Sequence, residues 1–309
     1  VIERAGELAA LGTAGCWVIT ALSFESAGKR IGSLSLNLLR LCMALVPLML
    51  WGVVTRGHAL PLDIEVDAWG WLGLSALIGF VIGDLCLFRA LVLIGPRLST
   101  LVMASVPVWT TLFGLVFLDE RLGARELVGI GLTVSGIGWA VLQRQPNKPA
   151  SAVPVAAPEG PISLRLRFIN SGVALALVGA LGQAGGLVLS KHGMADHDPF
   201  AATQIRVITA IVGFAAVITF AGWWPRVRLA IRDRQAMGAT AIGAVFGPFL
   251  GVGLSLLAVQ LAATGVAASL MATTPILMLP ITWLRGERFG WAGALGAMIA
   301  VGGVAILLW

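Results

Sequence analysis

The sequence predicts an all-α membrane protein: ten transmembrane helices, arranged as two inverted five-helix repeats around a central cavity. Three observations carry this expectation. Hydrophobic residues make up 58% of the chain and charged ones 12%, with a mean hydropathy of +0.93, a composition outside the range of soluble globular domains. Two stretches half a chain apart repeat one pattern: Ser75, Gly79 and Gly83 recur as Gly243, Gly247 and Gly251, and Met103 and Pro107 recur as Met271 and Pro275. Each copy holds five apolar runs of the length a bilayer requires, and an odd number sends the second copy through the membrane upside down.

The elements follow in order from a ruler of about 20 apolar residues per span. The first, 8–27, is too long for a cleaved signal and ends before the basic pair Lys29 and Arg30. The second, 33–54, closes with Trp51, and the third, 69–90, opens with Trp69 and Trp71, as suits aromatic rings in the headgroup layer. The fourth, 96–118, carries Pro107, and the fifth, 126–142, contains Gly129 and Gly136 and ends near Trp139. In the second half, 170–190 and 199–222 precede the anchors Trp223 and Trp224, and 237–259 holds the second glycine stripe. The ninth span, 264–284, carries Pro275, and the tenth, 291–309, repeats the glycines as Gly296 and Gly303 between Trp291 and Trp309. Residues 1–142 thus form the first repeat, the Pro- and Ala-rich stretch 143–167 a linker, and 168–309 the second repeat.

A net charge of +6 and a pI near 10.2 do not point to nucleic acid, because the basic residues are scattered over short loops between spans. Most of them follow odd-numbered spans, and positive-inside reasoning puts that side in the cytoplasm and both termini outside. Cys16, Cys42 and Cys86 lie inside apolar runs without metal-ligand spacing and read as small buried hydrophobes. No P-loop and no HExxH motif occurs, and His58, His192 and His197 fall in loops or at a helix end. An ATP-driven pump or a membrane-embedded enzyme is therefore disfavoured, and no cofactor or metal is expected.

The recurring order of a mid-span proline, then Glu-Arg, then a glycine-rich span resembles the EamA-type units of the drug/metabolite transporter superfamily. The residues that carry it are Val106-Pro107 with Asp119-Glu120-Arg121, and Thr274-Pro275 with Gly286-Glu287-Arg288. Arg40 and Arg206, early in the second span of each unit, also resemble the family pattern. The resemblance covers nearly the whole chain apart from the linker. It implies ten helices around a shared cavity, and transport of small organic solutes, often amino acids or related metabolites leaving the cell. A multidrug or lipid-type exporter is the alternative. The expected setting is a bacterial inner membrane, with a small-molecule solute and the lipid bilayer as partners. Proton coupling is one option, and a monomer is expected, with a dimer as the alternative.

Candidate residues follow from depth and chemistry. Arg40 and Arg206 lie about 10 Å inside their spans. They read either as contacts for a substrate carboxylate or as gating and structural ties, and inversion is expected to separate them onto opposite faces. Asp84, whose counterpart is Val252, is the sharpest candidate, for a proton or a solute ammonium, with an ion pair as the competing reading. Trp17, Trp109, Met103 and Met271 suit an adaptable apolar cavity wall, and Gln183 offers a neutral amide. Pro107 and Pro275 free mid-span carbonyls that are tolerated only against protein or water, which brings Ser105, Thr273 and Thr274 into consideration as nearby hydroxyls. Gly79, Gly83, Gly247 and Gly251 form close-packing faces that could pair with each other across the pseudo-symmetry axis.

Overall fold

The computed structural model describes residues 4–143, 162–278, 280–281 and 291–309. Every regular element among them is helical. The first half comprises α1 (Ala5–Ile31), α2 (Ser33–Arg56), α3 (Val66–Ala76), α4 (Asp84–Met103), α5 (Val106–Phe117) and α6 (Ala124–Gln143). The second comprises α7 (Ile162–Met194), α8 (Pro199–Phe220), α9 (Trp224–Arg232), α10 (Arg234–Ala244), α11 (Val252–Leu261), α12 (Thr264–Met271), α13 (Thr274–Leu277) and α14 (Trp291–Leu308). Among the described residues nine helices are long and apolar enough to cross a bilayer, and 264–277 forms a shorter apolar one. Glu287 and Arg288, like most of the linker and the end of the predicted ninth span, lie outside the described residues. Helix α7 starts at Ile162, within the predicted linker.

Local chemistry explains the boundaries. Gly32 connects α1 to α2 as a single residue at φ 76°, a backbone conformation that costs glycine nothing. Asp198 and Asp233 cap α8 and α10, accepting from the amides of Ala201 and Ala236 at 3.0 Å each. Gly95, at φ 77°, interrupts α4 and marks the joint between the third and fourth spans.

Two irregularities were not anticipated. Leu77–Gly83 and Val245–Gly251 are π-helical turns at matched places in the repeat, each joining two α-helical pieces of one span. Such turns add about one residue per cycle and are held only where surroundings enforce them. Pro107 and Pro275 also differ from the expectation of kinks inside helices. Each stands in the first turn of a new helix, α5 and α13, where a missing N–H costs little. The fourth and ninth spans are broken just before them.

The halves interlock about a pseudo-twofold axis. α2 packs on α8 and α6 on α14, each an equivalent pair, and α5 on α12, pieces of the equivalent fourth and ninth spans, whereas α3 and α4 pack on α7 as α10 and α11 pack on α1. Gly136 meets Gly296 across the α6–α14 contact: a methyl on Gly136 would sit 2.6 Å from the Gly296 carbonyl, and one on Gly296 2.8 Å from that of Gly136. The glycine stripes do not pair with each other. Gly79 and Gly83 face Gly186, Gly182 and Gly179 of α7, while Gly243, Gly247 and Gly251 face Phe24, Thr20 and Trp17 of α1. Apolar side chains such as Val54, Phe220 and Trp291 point outward, as lipid-facing or interfacial positions do.

Candidate functional site

Between the halves lies a cavity of about 370 Å³. Its walls come in repeat-related couples: Arg40 with Arg206, Phe80 with Pro248, Asp84 with Val252, Thr100 with Ala268, Met103 with Met271 and Pro107 with Pro275. Shape is thus nearly symmetric while chemistry is not. The acid, the phenyl ring and the Thr100 hydroxyl belong to the first half, where the second supplies Val252, Pro248 and Ala268.

Asp84 starts α4 directly after the π-helical turn, on the buried side of its span. It accepts from Arg40 Nη2 through Oδ2 and from Gln183 Nε2 through Oδ1 at 3.3 Å. The ion pair expected as the competing reading is formed, and its cation is Arg40. Arg206 lies against the same span, with its guanidinium carbon 4.5 Å from the centre of the Phe80 ring, a cation–π contact. Arg40 has a weaker one with Phe24 at 5.5 Å. The Nε atoms of both arginines are buried without a hydrogen-bond partner among the described residues.

The expectation that inversion would separate the two arginines is corrected: both reach one chamber. Each lies seven residues into a span of 24 or 22, leaving only about four residues, roughly 6 Å, to mid-depth. A guanidinium on its three-carbon stem covers that distance. Counting backbone depth alone missed the reach of the side chain.

Of the other expected residues, Trp17, Met103, Gln183, Met271, Thr274, Pro107, Pro275 and Gly247 line the cavity. Ser105, Trp109 and Thr273 do not. Ser105 Oγ donates back to Val102 O at 2.6 Å and accepts from the Trp109 indole at 3.2 Å, and Thr273 Oγ1 donates to Leu270 O at 2.6 Å. Both hydroxyls are thus satisfied within their own helix turns. Gly79, Gly83 and Gly251 serve packing, with Gly79 giving the Arg206 side chain room. Phe80, Thr20, Thr100 and Ser255 line the cavity without having been singled out. For Phe80 a signal existed, since it adjoins Gly79 and aligns with Pro248.

One end of the bundle carries a second polar cluster. Glu120 accepts from Lys191 Nζ at 2.8 Å, from Thr264 N at 2.9 Å and from Thr264 Oγ1 at 2.7 Å, and Lys191 also donates to Ala262 O at 2.9 Å. Glu120 therefore caps α12 of the other half. Asp119, at φ 51°, turns the chain that delivers it.

A family model described as the EamA-like transporter family matches residues 4–142 and 170–309. The chain belongs to the EamA-like transporter family. This EamA-like chain is accordingly an integral, multi-pass membrane transporter of the drug/metabolite transporter superfamily, with the two matches falling on its two repeats. A solved crystal structure of a protein superposes with a TM-score of 0.71 at 20% identity, covering 98% of this chain and 96% of its own, which shows a shared fold. A comparison with curated proteins returned no match.

Proposed function

We propose that this protein is a secondary carrier that moves small organic solutes by alternating access, with amino acids or related metabolites as cargo and export from a bacterial cell as its direction. The observation that carries the reading is the chamber itself, walled by both inverted halves and holding ionisable groups among apolar side chains. Inverted repeats around a mid-membrane site are the architecture that lets one half rock against the other. A cavity of this size suits a metabolite-sized solute.

Asp84 and Arg40 supply a means of coupling. Their ion pair occupies the wall of the solute site, so a solute ammonium or a proton that takes the carboxylate must displace Arg40. Binding would then release the tie that this ion pair makes between α2 and α4. The protein works as a monomer in this reading, because the chamber is complete within one chain.

Counterflow in proteoliposomes tests it. Vesicles preloaded with an unlabelled amino acid are expected to accumulate the labelled one, and a panel of sugars, nucleosides and cationic drugs sets the specificity. If nothing in the panel exchanges, the carrier reading is wrong. Asp84→Asn transport with an unchanged pH profile would dismiss the proton route alone.

A further inference from the structure

The chamber has an excess of positive charge with a free donor array. Its only ionisable lining residues, among those described, are Arg40, Asp84 and Arg206. Asp84 is already engaged by Arg40 and Gln183, so one guanidinium is left over. That one is Arg206: 5% exposed, facing the cavity, and without a hydrogen bond or ion pair among the described residues. Its contact with Phe80 occupies the face of the guanidinium plane, while the N–H donors point along the edges. A buried cation with unmet donors is an expensive arrangement in a membrane protein unless something intermittently meets them.

Building on the carrier reading, we infer that Arg206 is the receptor for a carboxylate group of the transported solute. A planar fork of donors matches a carboxylate with two parallel hydrogen bonds, and an acid without an amino group brings the chamber to neutrality. The walls fix the rest of the solute: Trp17, Phe80, Met103 and Met271 offer aromatic and thioether surface to an apolar body. An amino group, where the solute has one, lies toward Asp84, which lines the same cavity. The class is thus an organic acid or amino acid with an apolar or aromatic side group.

The test measures binding of matched pairs to the purified full chain in phosphatidylcholine nanodiscs. The probes are 3-phenylpropionate with 3-phenylpropanamide, and L-phenylalanine with L-phenylalaninamide, with phenyl phosphate and phenethylamine alongside. Each acid is expected to bind at least about tenfold tighter than its amide. Arg206→Gln is expected to bring each pair within about twofold, and Arg206→Lys to keep the preference at reduced strength, since charge remains while the fork is lost. If Arg206→Gln does not fold, as judged by its elution profile, the wild-type ratios and Arg206→Lys decide. Equal binding of acid and amide, a preference kept in Arg206→Gln, tighter binding of phenyl phosphate, or no binding of either acid each overturns the assignment. Failure here is separable from failure of the carrier reading. Counterflow restricted to amines or neutral solutes sinks the carboxylate receptor alone, whereas acid-selective binding without counterflow of any solute sinks the carrier.

Discussion

Glu120→Ala is expected to loosen one end of the bundle. Glu120 belongs to the first half, whereas Lys191 and Thr264 belong to the second, so their cluster clamps the halves together where α5, α7 and α12 meet. The ion pair is largely sheltered, with side-chain exposures of 24% for Lys191 and 11% for Glu120. Removing one member of such a pair costs about 3–5 kcal/mol, because the remaining charge stays desolvated. Glu120→Gln keeps an acceptor for the Thr264 amide and loses only the charge assistance, about 1.5–3 kcal/mol. If the clamp is present only when this end is closed, a loss of about 3 kcal/mol moves the opening equilibrium by roughly 150-fold. A single cysteine at Ser255, in the chamber wall, reports the opening in a background where Cys16, Cys42 and Cys86 are alanine. A membrane-impermeant maleimide applied from the Glu120 side should label it much faster in Glu120→Ala, with Glu120→Gln intermediate. Unchanged labelling together with an unchanged melting temperature would refute the clamp.

Asp84→Asn should lower stability by about 3–5 kcal/mol by depriving buried Arg40 of its counter-charge, and adding Arg40→Gln should recover at least half. Melting curves of the two singles and the double provide the cycle, and strictly additive losses would dismiss the pairing. Gly136→Leu should prevent the α6–α14 contact, since even its first carbon meets the Gly296 carbonyl, while Gly131→Ala, with open space around it, should be neutral. A Gly136→Leu protein that elutes and melts like wild type would show that this contact does not hold the bundle. Gly247→Leu, pressed against Thr20, should likewise impair folding or transport, and full activity in counterflow would count against a packing role for that stripe. Asp233, in the loop before α10, is held below the ordinary aspartate range, chiefly by its hydrogen bond from Arg30 and then by that from the Ala236 amide. A depressed folded-state value means stabilisation present above about pH 4, the unfolded aspartate's range, and lost as pH falls through the folded value. Asp233→Asn should therefore melt below wild type at pH 7, and the gap should close in acid. A gap that persists at pH 2 would rule out the ionised cap as its cause.

The fold was legible because its determinants are periodic. Span length, the repeated Gly79/Gly83 and Gly247/Gly251 pattern and the odd number of spans per half need no knowledge of side-chain partners. The chamber was only partly legible. Asp84 and Gln183 stand out as polar residues in apolar runs, and both line it. Phe80 had only an indirect signal, its place beside Gly79 and opposite Pro248 in the repeat, and its part becomes plain from the cation it faces. Ser105 and Thr273 misled for the opposite reason: a hydroxyl near a break was read as pointing to solute, when it donates to the carbonyl three residues back. The meeting of Arg40 and Arg206 required the length of two side chains as well as the position of two backbones.

The paired π-helical turns have a consequence for where the acid points. A helix advances by about 100° per residue, so a wide turn that absorbs one surplus residue leaves everything beyond it about that far from where an unbroken α-helix would carry the same residues. Asp84 and Val252 are the first residues past the two surplus turns. Straightening the first turn with every residue kept would send the carboxylate about 100° away from Arg40 with its identity and depth scarcely altered, whereas deleting Ile82 would let an unbroken α-helix keep its bearing. The electrical character of the chamber is in this sense a matter of phase: the same letters, threaded through an unbroken spiral, would present a different face to the solute.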